Sequence, residues 1–284
     1  MKTFFIIFQH FVPQHLLSRL IGKLAETKIS WLKNLLIEQF IKHYQVNMEE
    51  AKNSETSQFE NFNAFFTREL KQGARAICAK PYEIACPADG AISQLGLINN
   101  GRIFQAKGEH YSAEKLLADS KLAENYNNGS FATIYLSPKD YHRVHMPLSA
   151  KLSATTYVPG ELFSVNQTTA ENVPNLFARN ERLVCHFETD YGPMAMILVG
   201  AMIVAGIETV WSGQVAPPPG LPQTLSFREL PAEITLQRGQ EMGRFKLGST
   251  VIVLFSKNTV QWHDDLKPGS PTVMGQSIAT AIIQ

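Results

Sequence analysis

The sequence predicts an α+β fold in which amphipathic helices at the N-terminus precede a mostly antiparallel β core of sandwich or barrel-like shape. Residues 14–44 carry apolar side chains at helical spacing. From about Tyr82 onward, short runs of β-forming residues alternate with clusters of Gly, Pro, Asn and Asp. Hydrophobic residues make up 44% of the chain and charged residues 18%, which is enough apolar material for a globular core.

The N-terminal region divides into two helical stretches, each with Lys or Arg between its apolar positions. This pattern is typical of helices that pack on a core, and it also fits an anchor in a membrane interface. On the pattern alone we favour packing. The apolar positions are Leu16, Leu17, Leu20, Ile21 and Leu24 in the first stretch and Trp31, Leu32, Leu35, Leu36, Phe40 and Ile41 in the second.

An apolar run at residues 4–8 precedes these helices. It is too short to cross a bilayer, and no run of about 18 apolar residues occurs in the sequence, so we predict no transmembrane helix. Lys2 lies before the run, but no small-residue cleavage site follows it, so the sequence lacks an export signal.

The rest of the chain is divided by turns. Residues 47–60 predict a polar surface connection, and residues 63–70 predict a short helix with a buried aromatic face. Turn signals such as Pro217-Pro218-Pro219-Gly220 separate the strands, which is typical of sandwiches and barrels. The predicted strands are residues 131–136, 152–158, 183–187, 194–204, 235–236 and 250–255.

Charge and cysteine usage exclude several classes of protein. The net charge is +1, so nucleic acid is not an expected partner. The three cysteines, Cys78, Cys86 and Cys185, form no CxxC pair. This pattern fits a reducing compartment and argues against a disulfide framework or a zinc knuckle.

A Gly248-Ser249-Thr250 triplet interrupts a β-rich run. Such a triplet usually marks only a bulge. The alternative is self-cleavage, in which the Ser249 hydroxyl attacks the carbonyl of Gly248 and converts the peptide bond to an ester. Loss of the Ser249 α-proton then leaves dehydroalanine, and hydrolysis releases ammonia and leaves a pyruvoyl group at a new N-terminus. Serine needs a base for this attack.

Candidate bases are His142 and His145, which lie close together between two predicted strands. They also fit a structural role or a metal site, but an HxxH pair without a third ligand is weak, so we predict no metal. A carboxylate that orients the base would complete the set, and Asp89 is a candidate. Chemistry alone does not select Asp89 over the other acids, because Asp-Gly usually marks a turn.

Taken in chain order, these motifs resemble the bacterial phosphatidylserine decarboxylases over nearly the whole sequence. Each motif is weak by itself, and their common order makes the signal specific. The matching segments are residues 63–70, Pro87-Ala88-Asp89-Gly90, Tyr141-His142-Arg143-Val144-His145-Met146-Pro147, Pro159-Gly160-Glu161-Leu162-Phe163-Ser164-Val165-Asn166, and Leu247-Gly248-Ser249-Thr250 preceded by residues 241–245.

The resemblance implies a role for each site residue. Ser249 is the expected self-cleavage nucleophile and the source of a covalent pyruvoyl cofactor, with His145 and Asp89 as its relay partners. His142 is expected in the decarboxylation step. Cleavage between 248 and 249 would give a large chain, 1–248, and a small chain, 249–284, that form a heterodimer. Residues 1–60 would then be a helical membrane-associating segment and residues 61–284 a β-rich catalytic domain.

The resemblance also implies a substrate and a location. The pyruvoyl carbonyl would form a Schiff base with the amine of phosphatidylserine, lose CO2 and release phosphatidylethanolamine. A membrane lipid as substrate reverses our preference for the first helical segment, which we expect at the membrane surface. The expected location is peripheral, on the cytoplasmic side of the cell membrane.

Three other functions compete with this interpretation. A Ser-His-Asp lipid hydrolase uses the same residue types, but G-x-S-x-G is absent. A membrane-binding β module without catalysis would remain a single chain. A pyruvoyl decarboxylase acting on a free amino acid would not need the N-terminal amphipathic segments.

Overall fold

A computed structural model describes residues 6–7, 9, 11–202, 206–216, 221–228, 233–247 and 249–282. Gly248, the Pro217–Gly220 turn and most of the apolar run at residues 4–8 therefore lie outside the described residues. The α+β prediction is confirmed, and the sheets are antiparallel. The described sheets do not close into a barrel.

The helices are α1 (Gln14–Ala25), α2 (Ser30–Tyr44), α3 (Phe62–Phe66), α4 (Ala113–Leu117), α5 (Ser120–Ala123), α6 (Gln167–Ala170) and α7 (Leu176–Arg179). Short 3-10 helices cover Thr56–Gln58 and Glu124–Tyr126.

The strands are β1 (Glu83–Ala85), β2 (Gly90–Leu97), β3 (Arg102–Ala106), β4 (Glu109–Ser112), β5 (Ser130–Leu136), β6 (Arg143–His145), β7 (Ala150–Val158), β8 (Arg182–Thr189), β9 (Gly192–Gly200), β10 (Gly206–Thr209), β11 (Gly213–Ala216), β12 (Gln223–Ser226), β13 (Thr235–Leu236), β14 (Glu241–Lys246), β15 (Ser249–Phe255), β16 (Val260–Trp262), β17 (Pro271–Thr272) and β18 (Ser277–Ala281).

A nine-stranded sheet forms the centre of the molecule, in the order β12-β7-β8-β9-β15-β5-β2-β17, with β13 also pairing with β7. Both of its faces are buried. Along β15, Val251 and Val253 belong to one apolar core, whereas Ile252 and Leu254 belong to the other. This alternation follows from the two-residue period of a strand, and it explains why β15 is almost continuously apolar.

Two smaller sheets cover the first face, in the orders β11-β10-β14-β6 and β1-β18-β16. Val144, Phe245 and Ala279 from these sheets share the core with Val251 and Val253. The second face is covered by the short helices and by the β3-β4 hairpin, through residues such as Leu116, Phe177 and Ile103. The nine-stranded sheet is therefore the middle layer of the fold.

The N-terminal helices form a third apolar cluster with α3. The Phe40 ring of α2 lies 5.1 Å from Phe62 and 5.9 Å from Phe66, centroid to centroid. Asn61 caps α3, because its side chain accepts a hydrogen bond from Ala64 N at 2.8 Å. Leu247 belongs to this cluster as well. The helices therefore contact the chain directly before the predicted cleavage site.

Each N-terminal helix also leaves apolar side chains exposed. The exposed residues include Leu16, Leu20 and Leu24 on α1 and Trp31 and Leu35 on α2. The helices thus combine core packing with an uncovered apolar surface. Among the described residues, the search for a helix of sufficient length and hydropathy to cross a bilayer found none.

The predicted elements agree well with those observed. The two N-terminal helices and the short aromatic helix are present, although the latter ends at Phe66. Five of the predicted strands occur with boundary shifts of at most two residues, and the strand predicted for residues 194–204 instead spans Gly192–Gly200. The β3-β4 hairpin and helices α4 to α7 were not predicted.

Candidate functional site

Ser249 is the first residue of β15, between β9 and β5. It pairs in register with Gly200 on one side and Leu136 on the other. Its side chain is fully buried, and its Oγ has no hydrogen-bond partner among the described residues. A buried hydroxyl that loses water without gaining a partner costs about 1–3 kcal/mol. Such a group in a native core calls for an explanation, and a reactive role is one of them.

The chain enters this strand through a backbone conformation that is unusual for its residue type. Leu247 has φ of +73°, and its side chain is buried in the N-terminal aromatic cluster. Non-glycine residues in the left-handed region are uncommon, and strain of this kind concentrates at active sites. The strained residue therefore lies two positions before Ser249.

His142 lies on the connection from β5 to β6 and is completely buried. Its Nδ1 is 2.8 Å from the carbonyl oxygen of Asp140, and because a carbonyl only accepts, Nδ1 carries the proton. Its Nε2 has no partner among the described residues, and its ring lies 4.0 Å from that of Phe66. Burial lowers the pKa of His142 to about 3. The ring is therefore neutral at neutral pH, with Nε2 as an available acceptor.

His145 ends β6 and is held at both ring nitrogens. Its Nδ1 donates to the carbonyl oxygen of Gly239 at 2.8 Å, and its Nε2 accepts from the Tyr141 hydroxyl at 3.0 Å. Burial lowers the pKa of His145, and the hydrogen bond to Gly239 and the charges of Glu241 and Asp89 oppose this shift. His145 is thus a neutral base whose lone pair points at a hydroxyl.

Asp89 does not hydrogen bond to His145. Its Oδ1 accepts from Arg75 Nε at 3.0 Å and from Met274 N at 2.8 Å, and its Oδ2 accepts from Arg75 Nη2 at 2.5 Å. Arg75 Nη2 also donates to Glu50 at 2.8 Å. Asp89 acts on His145 through its charge in this arrangement, so its assignment to the relay stays a prediction.

Hydrogen bonds of Asn180 and Glu181 support the strand next to Ser249. Asn180 Nδ2 donates to the carbonyl oxygens of Gly200 at 2.9 Å and Phe163 at 2.8 Å, and Gly200 N donates to Glu181 O at 2.8 Å. These hydrogen bonds connect the 159–166 motif to the backbone paired with Ser249. Through them the motif holds in place the strand that pairs with Ser249.

Sequence reasoning missed Arg75, Asn180 and Glu181. Arg75 is a single arginine in an irregular loop, and nothing local marks it. Asn180 and Glu181 form a polar pair directly before an apolar strand, which is a signal that a search for buried polar residues would have used. Tyr141 lies within the recognised 141–147 motif, but the sequence predicted no role for it.

An apolar cavity of about 390 Å³ opens beside Leu247. Its walls come from α1, α2 and α3, with Ile21, Leu24, Leu36 and Phe62 among the lining residues. The cavity is within the size range of small-molecule sites, at about 300–1,000 Å³. An apolar space therefore adjoins the segment that leads to Ser249.

Comparison with known proteins places this site in a family. A sequence model described as phosphatidylserine decarboxylase matches residues 62–280, and a second, described as PSD, matches residues 4–45. The chain is 59% identical over 282 residues to the phosphatidylserine decarboxylase proenzyme of Ectopseudomonas mendocina, covering 99% of both chains. It is 60% identical over 277 residues to that of Pseudomonas entomophila, covering 97% of this chain and 96% of the relative.

These matches define the class of protein as a decarboxylase, which is a carboxy-lyase. The chain belongs to the phosphatidylserine decarboxylase family. The resemblance drawn from the sequence motifs is confirmed.

Proposed function

We propose that this protein converts phosphatidylserine to phosphatidylethanolamine with a pyruvoyl group that it makes from Ser249 by cleaving its own chain after Gly248. The observation that carries the proposal is the Ser249 hydroxyl, which is fully buried without a partner among the described residues. The proenzyme names of the relatives support a processed precursor.

Self-cleavage begins when Ser249 Oγ bonds to the carbonyl carbon of Gly248 and gives its proton to a base. His145 Nε2 carries the lone pair for this step, and the Tyr141 hydroxyl that it now contacts either relays the proton or moves aside. The carbon–nitrogen bond to Ser249 then breaks, and the proton passes to the nitrogen. Loss of the Ser249 α-proton eliminates the Gly248 carboxylate, and water replaces the nitrogen, which leaves as ammonia.

Asp89 supports this base from a distance in the observed arrangement. Its negative charge raises the pKa of His145 against the effect of burial. A stronger base removes the Ser249 proton more readily, which is the part a relay carboxylate plays. Arg75 holds the carboxylate in place for that task.

The new N-terminus fits the cofactor assigned to it. Ser249 lies where a buried strand begins, and its side chain has no structural bond that processing would break among the described residues. When formed, the pyruvoyl group would supply an electrophilic carbonyl for the substrate amine, and through it a place to delocalise the electron pair that stays on Cα when CO2 leaves.

His142 is the residue that we assign to proton movement in decarboxylation. Its Nε2 is an acceptor at neutral pH, so it can take the proton that the headgroup ammonium sheds. The resulting imidazolium is strongly acidic because it is buried, and it returns the proton to the substrate Cα after CO2 leaves. One proton is taken and one is returned, so the residue ends the cycle neutral.

The small chain stays bound to the large one in this account. Residues 249–284 supply β15, which lies between β9 and β5 of residues 1–248, and β18, which pairs with β1. A strand with a neighbour on each side and both faces buried does not separate without unfolding the core. This supports a heterodimer of the two chains.

The N-terminal helices supply the membrane contact that a lipid substrate needs. Leu16, Leu20 and Leu24 lie exposed along α1, and the apolar cavity beside Leu247 adjoins the same helix. A helix of this kind lies in the interface without crossing it. We therefore assign residues 1–60 to peripheral association with the cytoplasmic side of the cell membrane and residues 61–284 to catalysis.

Intact mass spectrometry of the purified protein tests the proposal directly. We expect two chains, 1–248 and 249–284, with the smaller carrying a ketone in place of the serine amine. Ser249→Ala should remain one chain, and borohydride with substrate should inactivate the wild-type protein. A single uncut chain that decarboxylates the lipid, or labelling of Ser249 by a fluorophosphonate, would overturn the proposal.

A further inference from the structure

Helix α1 carries two parallel stripes that differ in chemistry. Leu16, Leu20 and Leu24 are 55%, 57% and 44% exposed. His15, Arg19 and Lys23 each precede one of these leucines and are exposed as well. Residues four apart lie above one another on a helix, so the two sets form adjacent lines. We call His15, Arg19 and Lys23 the basic stripe.

The basic stripe lines a cavity of about 440 Å³, together with Leu16 and Leu20 of the adjacent leucine line. Leu162, Glu181 and Gln214 line the same cavity and come from the β core. The cavity thus lies between the helix with an exposed apolar line and the body of the protein. It is distinct from the apolar cavity beside Leu247, to which α1 contributes Ile21 and Leu24.

The inner wall of this cavity leads to Ser249. Glu181 O accepts the hydrogen bond from Gly200 N, and Gly200 is the register partner of Ser249. Leu162 approaches Gly200 from the same direction, with its Cδ2 3.6 Å from the position that a Cβ on Gly200 would occupy. A headgroup in the cavity is therefore close to the backbone that flanks the reacting residue.

Arg19 and Lys23 give the α1 wall of the cavity a line of positive charge. Arg19 and Lys23 have no ion-pair partner in the described part of the chain, and His15 bonds to the carbonyl of Gly160 at 3.0 Å. The opposing carboxyls that line the cavity are Glu26 and Glu181. Burial raises the pKa of Glu181, and its carboxyl accepts a hydrogen bond from Tyr157 at 2.7 Å.

We propose that the basic stripe binds the phosphodiester of the substrate lipid and so directs the headgroup toward Ser249. This inference rests on the proposed function. When the leucine line is immersed in acyl chains, the adjacent line lies at the depth of the phosphates. Arginine and lysine are the side chains suited to this anion, arginine through its planar fork. Other anionic lipids carry the same phosphodiester. The two arms of the experiment distinguish the headgroup of the substrate from that of a bystander lipid.

Binding is measured on the Ser249→Ala chain, in which no chemistry follows. Dihexanoyl phosphatidylserine below its micelle concentration is titrated calorimetrically into this chain, with and without Arg19→Gln and Lys23→Gln together. We expect affinity to fall at least about tenfold, or about 1.4 kcal/mol. The control, Lys28→Gln with Lys42→Gln, removes the same charge from the N-terminal region without altering the cavity, and should bind within about twofold of the parent.

A second arm uses vesicles of phosphatidylcholine and phosphatidylglycerol. If the stripe variant loses vesicle binding but binds the monomeric lipid normally, the stripe contacts bystander lipids and the inference is wrong. With Ser249 intact, the stripe variant should cleave itself normally, which verifies its fold. Failure of the proposed function gives a different result, because the Ser249→Ala parent would then not bind the monomeric lipid and the chain with Ser249 intact would not process itself.

Discussion

Arg75 and Asp89 form a two-point ion pair, with Nε 3.0 Å from Oδ1 and Nη2 2.5 Å from Oδ2, and both side chains are 11% exposed. The pair connects an irregular loop to the start of β2. The hydrogen bond to Asp89 is the largest cause of the raised pKa of Arg75. The carboxylate that we assign to the relay is therefore held by arginine and not by the histidine.

Replacement of Arg75 by Met should destabilise the protein and slow self-cleavage. Breaking a buried pair leaves an uncompensated charge, which typically costs about 3–5 kcal/mol. Urea unfolding of the Ser249→Ala chain, which stays single, measures the stability, and gel analysis of the Ser249 form measures the cleavage rate. Arg75→Lys keeps the charge but loses the planar fork of the guanidinium. Its stability and cleavage rate should therefore lie between those of the parent and those of Arg75→Met. Faster cleavage in Arg75→Met would mean that the arginine holds Asp89 away from His145.

Asp89→Asn should leave a single uncut chain on a denaturing gel. The amide keeps the shape and the bond from Met274 N, but it removes the charge that raises the pKa of His145. Asp119→Asn is a matched control, because Asp119 caps α5 and asparagine caps equally well. Normal cutting of Asp89→Asn would remove this residue from the relay.

His142→Ala should still cleave itself but lose most of its decarboxylation. A positioned proton transfer contributes about 10²–10⁴-fold to a rate, so we expect a loss in that range. Cleavage is checked by mass and turnover by release of CO2 from phosphatidylserine. Turnover near the wild-type rate in the fully processed variant would show that Nε2 moves no proton.

The buried state of His142 also predicts acid sensitivity. Its pKa is about 3 in the folded chain against an ordinary value of 6.5, so only the unfolded chain takes up this proton between those values. The contribution of His142 to stability is therefore complete above pH 6.5 and is lost as the pH falls toward 3, at about 1.4 kcal/mol per pH unit.

His142→Phe tests this dependence, because a phenyl ring fits beside Phe66 and does not titrate. In the Ser249→Ala chain, we expect the parent to lose about 2 kcal/mol more than His142→Phe between pH 7 and pH 5. Urea unfolding at the two pH values measures the difference. His43→Gln, an exposed position on α2, should behave as the parent does, and an equal acid slope in His142→Phe would contradict the prediction.

The elements that the sequence predicted are those whose side chains repeat with the period of their own backbone. Helices α1 and α2 are of this kind, whereas the central strand β15 was predictable as a continuous run of β-forming apolar residues. The membership of Leu247 in the same apolar cluster as Phe62 was not predictable, because a single leucine carries no information about a distant partner. The site residues Ser249, His142, His145 and Asp89 followed from motifs in order. Their partners Arg75 and Asn180 did not, because each is one polar residue in an aperiodic segment.

The leucine line of α1 should control membrane binding without affecting self-cleavage. Leu16, Leu20 and Leu24 are exposed on α1, so replacing all three by Ser removes apolar area without opening the core. Each Å² of apolar surface buried in the membrane contributes about 25 cal/mol to binding. The loss of three leucine side chains should therefore reduce co-sedimentation with liposomes severalfold or more. Deleting residues 1–24 should weaken liposome binding at least as much, also with self-cleavage intact.

The control changes exposed leucines outside the N-terminal helices, in Leu221→Ser and Leu225→Ser. Equal co-sedimentation of the triple variant and the parent would assign the membrane contact to another surface.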